Sequence, residues 1–482
     1  MQTSTSRLFA LILFALLGFC SARWGAVTAN SPTQSPTGTW LGVLEAGGFK
    51  LRLVLKVTAN ADGKLAAKLD SLDQGANDLP IESITFEGGI VRFSAPNLGL
   101  SYEGKLNSEN NEIVGELKQG PGTYPLTFKR TEKAPALGRP QDPQKPYPYS
   151  EEEVSYENKK DSVKLAGTLT LPTSKEPVPA VVLITGSGAQ DRNETILGHR
   201  PFLVLADYLT RRGIAVLRVD DRGVGGSAAG SAKATSENYA EDVLAGVEFL
   251  KGRKEINAQQ IGLIGHSEGG MIAPIAAMKS KDVAFIVMMA GLGQTGRDAI
   301  LMQGDLLTQA SGMSPETTKQ IRKIYEQIFV ILKAEPDGAL AEKKIRDAVA
   351  THVAAMTETH KREFAPVQQT INAQMKMYLS DWFRYFLLFD PAPVLEKVQV
   401  PVLALVGEKD LQVPPKENLT LIEAALKKGG NKKYTILLLP GLNHLFQNAK
   451  TGLPGEYGTI EETISPSVLQ TIGDWILKQT KK

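Results

Sequence analysis

The chain has 482 residues, enough for two or three domains at about 150 residues each. With 42% hydrophobic and 22% charged residues it is neither a disordered chain nor a coiled coil, and 54 basic against 52 acidic residues leave no charge excess to hold nucleic acid. The single cysteine, Cys20, lies in an N-terminal apolar run, so a chain cut beyond it has no thiol for a disulfide, a nucleophile or a metal centre.

Arg7 precedes twelve apolar residues, 8–19, followed by small residues with cleavage expected after Ala22 or Ala29. Residues 1–29 therefore read as a signal peptide, too short in its apolar core for a comfortable membrane span. The protein is expected to be exported, periplasmic or secreted. A lipid anchor on Cys20 is disfavoured by the bulky Phe19 before it. No second long apolar run exists, so no membrane span is expected in the mature chain.

Residues 35–131 alternate apolar and polar positions in short runs such as 49–57, 64–69, 90–93 and 124–128, broken by turn residues at 60–63, 87–89 and 120–122. This pattern predicts a small antiparallel β domain of about seven strands. It carries no catalytic constellation, and a packing or substrate-guiding role is expected. Residues 132–150, with Pro135, Pro140, Pro143, Pro146 and Pro148, read as a stiff extended connector. From 151 to 482 the pattern changes. Wholly apolar runs at 180–184, 261–264, 284–289, 402–406 and 435–439, with 163–171 and 214–219, alternate with helical stretches. Continuous apolar strands separated by helices predict an α/β domain, with a mostly parallel sheet covered by helices on both faces. Residues from about 293 to 390 are helical in character. They form a predicted lid, and Tyr378, Trp382, Phe383, Tyr385, Phe386 and Phe389 supply its core and part of an acyl-pocket wall.

Ligands of such sheets collect at the carboxyl ends of the strands. Directly after the 261–264 run comes Gly265-His266-Ser267-Glu268-Gly269-Gly270, a Gly-x-Ser-x-Gly turn between strand and helix. The turn thrusts a serine hydroxyl above the sheet, and the glycines remove Cβ atoms that would collide. A serine needs an imidazole base and an orienting carboxylate, in the chain order Ser, acid, His. Of the three histidines after Ser267, His352 and His360 sit on charged helical stretches, whereas His444 follows the last apolar run. Asp410, turned back after the 402–406 strand, is the expected acid, ahead of its solvated neighbour Glu408. Asp220 and Asp221 precede the serine and are expected to brace a loop through Arg222. The expected oxyanion donors are the backbone amides of Glu268 and Ser187, with Gly188 as the substitute for Ser187. His199 is expected to be structural or to line the pocket.

Gly265–Gly270, Asp410 and His444, with the segments 218–223 and 382–391, make residues 150–482 resemble the α/β-hydrolase superfamily. More narrowly, the chain resembles exported esterases of the EstD type, grouped with serine aminopeptidase-like hydrolases, which also carry an N-terminal β module. The resemblance implies hydrolysis of small-molecule carboxylic esters through an acyl-enzyme, with no metal or organic cofactor, and a triad of Ser267, Asp410 and His444. The segment Thr185-Gly186-Ser187-Gly188 departs from the His-Gly-Gly of many lipases. A peptidase using the same triad is the alternative implied.

Overall fold

Period-two alternation builds the N-terminal part as one antiparallel sheet of nine strands. They are β1 (Gly38–Ala46), β2 (Phe49–Ala59), β3 (Leu65–Ser71), β4 (Ala76–Pro80), β5 (Ser83–Glu87), β6 (Ile90–Ala95), β7 (Leu100–Leu106), β8 (Glu112–Gln119) and β9 (Gly122–Thr131). Their order is β4-β3-β2-β1-β9-β8-β7-β6-β5. In this computed structural model the described residues are 34–481, apart from 47–48, 61, 75, 120–121 and 134–137. The expected signal peptide, with Cys20, and Pro135 therefore lie outside the described residues. Alternate residues of β6 and β7 turn inward, and the core forms around Trp40, Phe93, Tyr102 and Phe128. Tyr102 stacks on Phe93 at 5.0 Å and meets Phe128 edge-on at 5.2 Å.

The sheet has more strands than the alternation predicts. The reason is visible at its ends: edge strand β4 carries Asn77, Asp78 and Pro80, residues that read as a turn, and an edge strand tolerates them because one side of it needs no ladder partner.

The second sheet has β10 (Ser150–Asn158), β11 (Val163–Leu171), β12 (Val178–Ile184), β13 (Ala215–Val219), β14 (Ile256–His266), β15 (Phe285–Met289), β16 (Val402–Gly407) and β17 (Tyr434–Leu439). In the order β10-β11-β13-β12-β14-β15-β16-β17, the first two pairings are antiparallel and the rest parallel. Every residue of β15 and β16 is buried, as apolar runs covered on both faces require. Helices Pro201–Arg211 and Pro466–Thr480 pack together, as do Ser236–Lys251 and Glu268–Lys279. The fold is that of an α/β hydrolase. Strand order reverses around β12, which sets the loops after β12 and β14 side by side, the place where such sheets bind ligands.

By contacts the described residues divide into two compact units, one holding those up to Gly138 with Arg362–Asn372, the other holding the remainder. Much of the proline-rich stretch read as a stiff extended connector is fastened within the second unit. Arg139 donates to the carbonyls of Leu197 and Ile460, and Gln141 bonds the backbone at Thr463 and Ile464. Between β15 and β16 lie the helices Gly296–Ala310, Pro315–Ala334, Gly338–Ala354, Glu358–Tyr378 and Asp381–Leu388. The aromatic segment is split by Ser380, whose hydroxyl caps the last of these by accepting from the Phe383 amide.

Candidate active site

Ser267 stands between β14 and helix Glu268–Lys279 at φ +54°, a left-handed conformation that a residue with a side chain rarely adopts. The flanking glycines allow it. A Cβ on Gly265 would lie 1.9 Å from the Gly269 carbonyl oxygen, and one on Gly269 would lie 2.2 Å from that of Ile184. Strand and helix thus meet backbone to backbone, with the serine at the apex over the first-turn amides, whose orientation favours negative charge.

Beyond β16 the chain turns so that Asp410 is buried, its Oδ1 accepting the amides of Gln412 and Val413 at 2.8 Å each. Its Oδ2 lies 2.8 Å from Nδ1 of His444, which is also buried, beyond β17. Glu408, the competing acid, is exposed and accepts the Gly441 amide. His444 and Ser267 line one cavity; among the described residues no hydrogen bond joins the hydroxyl to the ring. His352 and His360 lie on the helices Gly338–Ala354 and Glu358–Tyr378 and do not line that cavity. His199 is fully buried away from it, held between the Thr463 hydroxyl and the Tyr457 carbonyl. Burial pushes its pKa down to about 4. Its role is structural.

The loop after β12 runs against the serine: a Cβ on Gly186 would lie 3.2 Å from Ser267 Cβ. The Gly186 amide already donates to Glu194 Oε1 at 2.8 Å, so it is committed, and the next amides along are those of Ser187 and Gly188. Gly188, at φ +99°, takes a turn that only glycine makes easily. Asp220 and Asp221 do brace this loop, but not through Arg222. Asp220 grips Arg192 through side chain and amide, while Asp221 accepts from the Thr185 hydroxyl and the Gln190 amide. Arg222 turns instead to Asp161 and Asp242, because those carboxylates, not Asp220 or Asp221, lie within its reach. Burial pushes the Asp221 carboxyl up to about 7.

A family model of X-Pro dipeptidyl-peptidases, the S15 family, matches residues 161–445, from just before β11 to just past His444. The chain belongs to the S15 family. Esterase EstD of Thermotoga maritima is 26% identical to this S15 member over 327 residues, 67% of this chain and 68% of its own. Among solved structures, the α/β hydrolase GrgF from a Penicillium species is 17% identical, with a TM-score of 0.42, over 68% of this chain and 99% of that one. A Pyrococcus furiosus esterase is 14% identical, with a TM-score of 0.41, over 68% and 91%.

The cavity of this S15 member encloses about 410 Å³ and is walled by Leu292, Ile300, Leu307, Tyr378, Trp382, Phe383 and Phe386. The lid aromatics thus serve partly as pocket wall. Glu268, next to the serine, is buried, and its Oε1 accepts from the Ser236 hydroxyl at 2.6 Å and the Trp382 indole at 2.8 Å. Burial raises its carboxyl pKa. Two residues at the cavity escape sequence reading. His266 fills the variable place before the serine, and Glu194 lies two residues past Arg192 on the loop after β12; they bond to each other at 2.9 Å. The signal for His266 was its place inside the motif. Glu194 offered none.

Proposed function

We propose that the protein is a serine carboxylesterase that hydrolyses esters of small to medium acyl chains. Ser267 Oγ attacks the acyl carbonyl while His444 Nε2 takes its proton. Asp410 holds the imidazole through Nδ1 and stabilises its charged form. The amides of Glu268 and Ser187, or Gly188, receive the developing oxyanion. His444 then returns the proton to the leaving alkoxide, and water repeats the sequence on the acyl-enzyme. The observation that carries this reading is a serine in a strained turn sharing one cavity with an imidazole hydrogen-bonded to a buried carboxylate. The bond from serine to imidazole belongs to the substrate complex, since catalytic hydrogen bonds tighten when substrate binds. The esterase name of the Thermotoga relative supports the same chemistry.

Preference for esters over aminoacyl amides is supported by Glu268. A peptidase needs a free carboxylate for the substrate's α-ammonium group. Here the carboxyl beside the serine is already engaged by Ser236 and Trp382 and biased by burial towards its neutral form. The peptidase alternative has the family description in its favour. A panel of p-nitrophenyl esters against aminoacyl- and X-Pro-nitroanilides separates them: faster turnover of any anilide than of every ester overturns the esterase reading. A fluorophosphonate should label the wild type and not Ser267→Ala, with kcat falling on the order of 10⁶-fold.

The expected export of the chain is part of this proposal. Sequencing the amino terminus of secreted or periplasmic protein tests it; a chain retained in the cytoplasm with residues 1–29 attached refutes it.

A further inference from the structure

We propose that Glu194 and His266 form a buried imidazolium–carboxylate brace that positions the His444 loop and the oxyanion-side loop against each other; this rests on the acyl-enzyme reading above. Neither residue touches the reacting atoms in that reading, yet both are almost wholly buried at the cavity wall. Glu194 Oε1 accepts the amide of Gly186, one residue before the expected donor Ser187, at 2.8 Å, and lies 2.9 Å from His266 Nδ1. The other ring nitrogen, Nε2, lies 3.0 Å from the backbone carbonyl of His444. A single chain of hydrogen bonds therefore runs from the loop after β12, through the residue preceding the nucleophile, to the main chain of the general base.

The proton inventory fits an imidazolium facing a carboxylate. A carbonyl oxygen only accepts, so Nε2 must carry a hydrogen; a carboxylate only accepts, so Nδ1 must carry one too. The ring is then an imidazolium. The groups that face it are Glu194 from the β12 loop and the His444 ring, 4.8 Å away between centroids, with Asp410 behind it. Burial opposes the charge, but Glu194, helped by the His444 carbonyl and Asp410, outweighs it and holds the pKa of His266 raised. Among the described residues no lysine or arginine forms an ion pair with Glu194, so His266 is its counter-charge. Glu194 itself sits at φ +53°, a strained conformation for this residue type that the surrounding bonds must hold.

Glu194→Gln keeps size and shape but removes the charge. Its amide oxygen must still accept from Gly186. A neutral His266 then has one hydrogen for two acceptors, and either the contact to the loop or the contact to His444 is lost. We expect kcat to fall at least about 10-fold in Glu194→Gln and on the order of 100-fold in His266→Phe, with KM nearly unchanged, since displacing a catalytic group by about 1 Å costs that much. The double variant should be no slower than the slower single one. Melting curves taken alongside must show folded protein at the assay temperature. A merely structural pair would lower the melting temperature while leaving kcat per folded molecule intact, and that result overturns the brace. Wild-type protein labelled with 15N-histidine gives a test that needs no variant: of its five histidines, one ring should keep both nitrogens protonated above the pH at which free histidine loses its proton, and a spectrum without such a ring overturns the proposal. Ser267→Ala keeps the two hypotheses apart. If that variant retains activity the acyl-enzyme reading fails; if it is inactive while the Glu194 and His266 variants turn over normally, only the brace fails.

Discussion

The N-terminal sheet and the surroundings of Ser267 bury carboxyl groups in opposite ways. In the N-terminal sheet, Asp70 and Asp73 are buried but answered by Lys56 and Arg52, long cationic side chains that reach in from solvent. Around Ser267, Glu194, Glu268 and Asp410 are buried too, and among the described residues none of them pairs with a lysine or arginine. Their partners are imidazoles, hydroxyls, an indole and backbone amides. A fixed cation locks a carboxylate in one state and so holds a fold. An imidazole can lose or gain its proton near neutral pH, and neutral donors leave the proton free to move. The difference separates acids that hold a fold from acids placed where the proposed proton transfer would occur.

The strongest way to break this contrast is Asp410→Asn. If the carboxylate orients and stabilises the imidazolium, kcat should fall by about 10⁴-fold while the fold survives; a drop below about tenfold, measured on p-nitrophenyl esters, would make Asp410 one more structural acid. The counterpart in the first sheet is Trp40→Ala. The indole is fully buried and bonded to the Pro36 carbonyl, so its loss should cost about 3–5 kcal/mol of stability. Denaturant unfolding measures this, and fluorophosphonate labelling of the folded fraction should not change.

A smaller effect sharpens the comparison within the catalytic unit. His199 is held neutral, its pKa lowered from the ordinary 6.5 to about 4 by burial. The unfolded chain binds the proton first as pH falls, so stability present above pH 6.5 is lost progressively down to about pH 4, by about 2 to 3 kcal/mol. In His199→Gln that part of the acid sensitivity should vanish from melting curves recorded across this range. The smallest expected effect is at Glu268. Its raised pKa means that ionisation in the folded state is resisted, so stability declines as pH rises above the ordinary glutamate value. Glu268→Gln, which can still accept from Ser236 and Trp382, should therefore raise the melting temperature more at pH 8 than at pH 5. Equal shifts at both pH values would mean that Glu268 is ionised throughout.

Much of the second sheet was legible because most of its parallel strands hold a contiguous apolar run and the turn after β14 is a local pattern. The Gly265–Gly269 turn needs only its own neighbours to be recognised, and the strand ends at β16 and β17 placed Asp410 and His444 on the same edge. Strand β10 escaped, since it alternates charged and apolar residues directly after a proline-rich stretch. The choice of Arg192 over Arg222 as the partner of Asp220 was equally hidden: both arginines lie in loops near that acid in sequence or space, and only the path of the chain decides which guanidinium arrives.

The order of residues by itself determined the two sheet types, the strained serine turn and the candidate acid and base, because periodicity and glycine placement act over a few residues. Tertiary structure alone decided that Glu194 meets His266 across 72 residues and that His266 reaches the main chain of His444. It also decided that lid residue Trp382 closes on Glu268 from 114 residues away. Such contacts depend on where folding brings distant segments, and the favourable energy of a buried bond exists only once both partners have left water together.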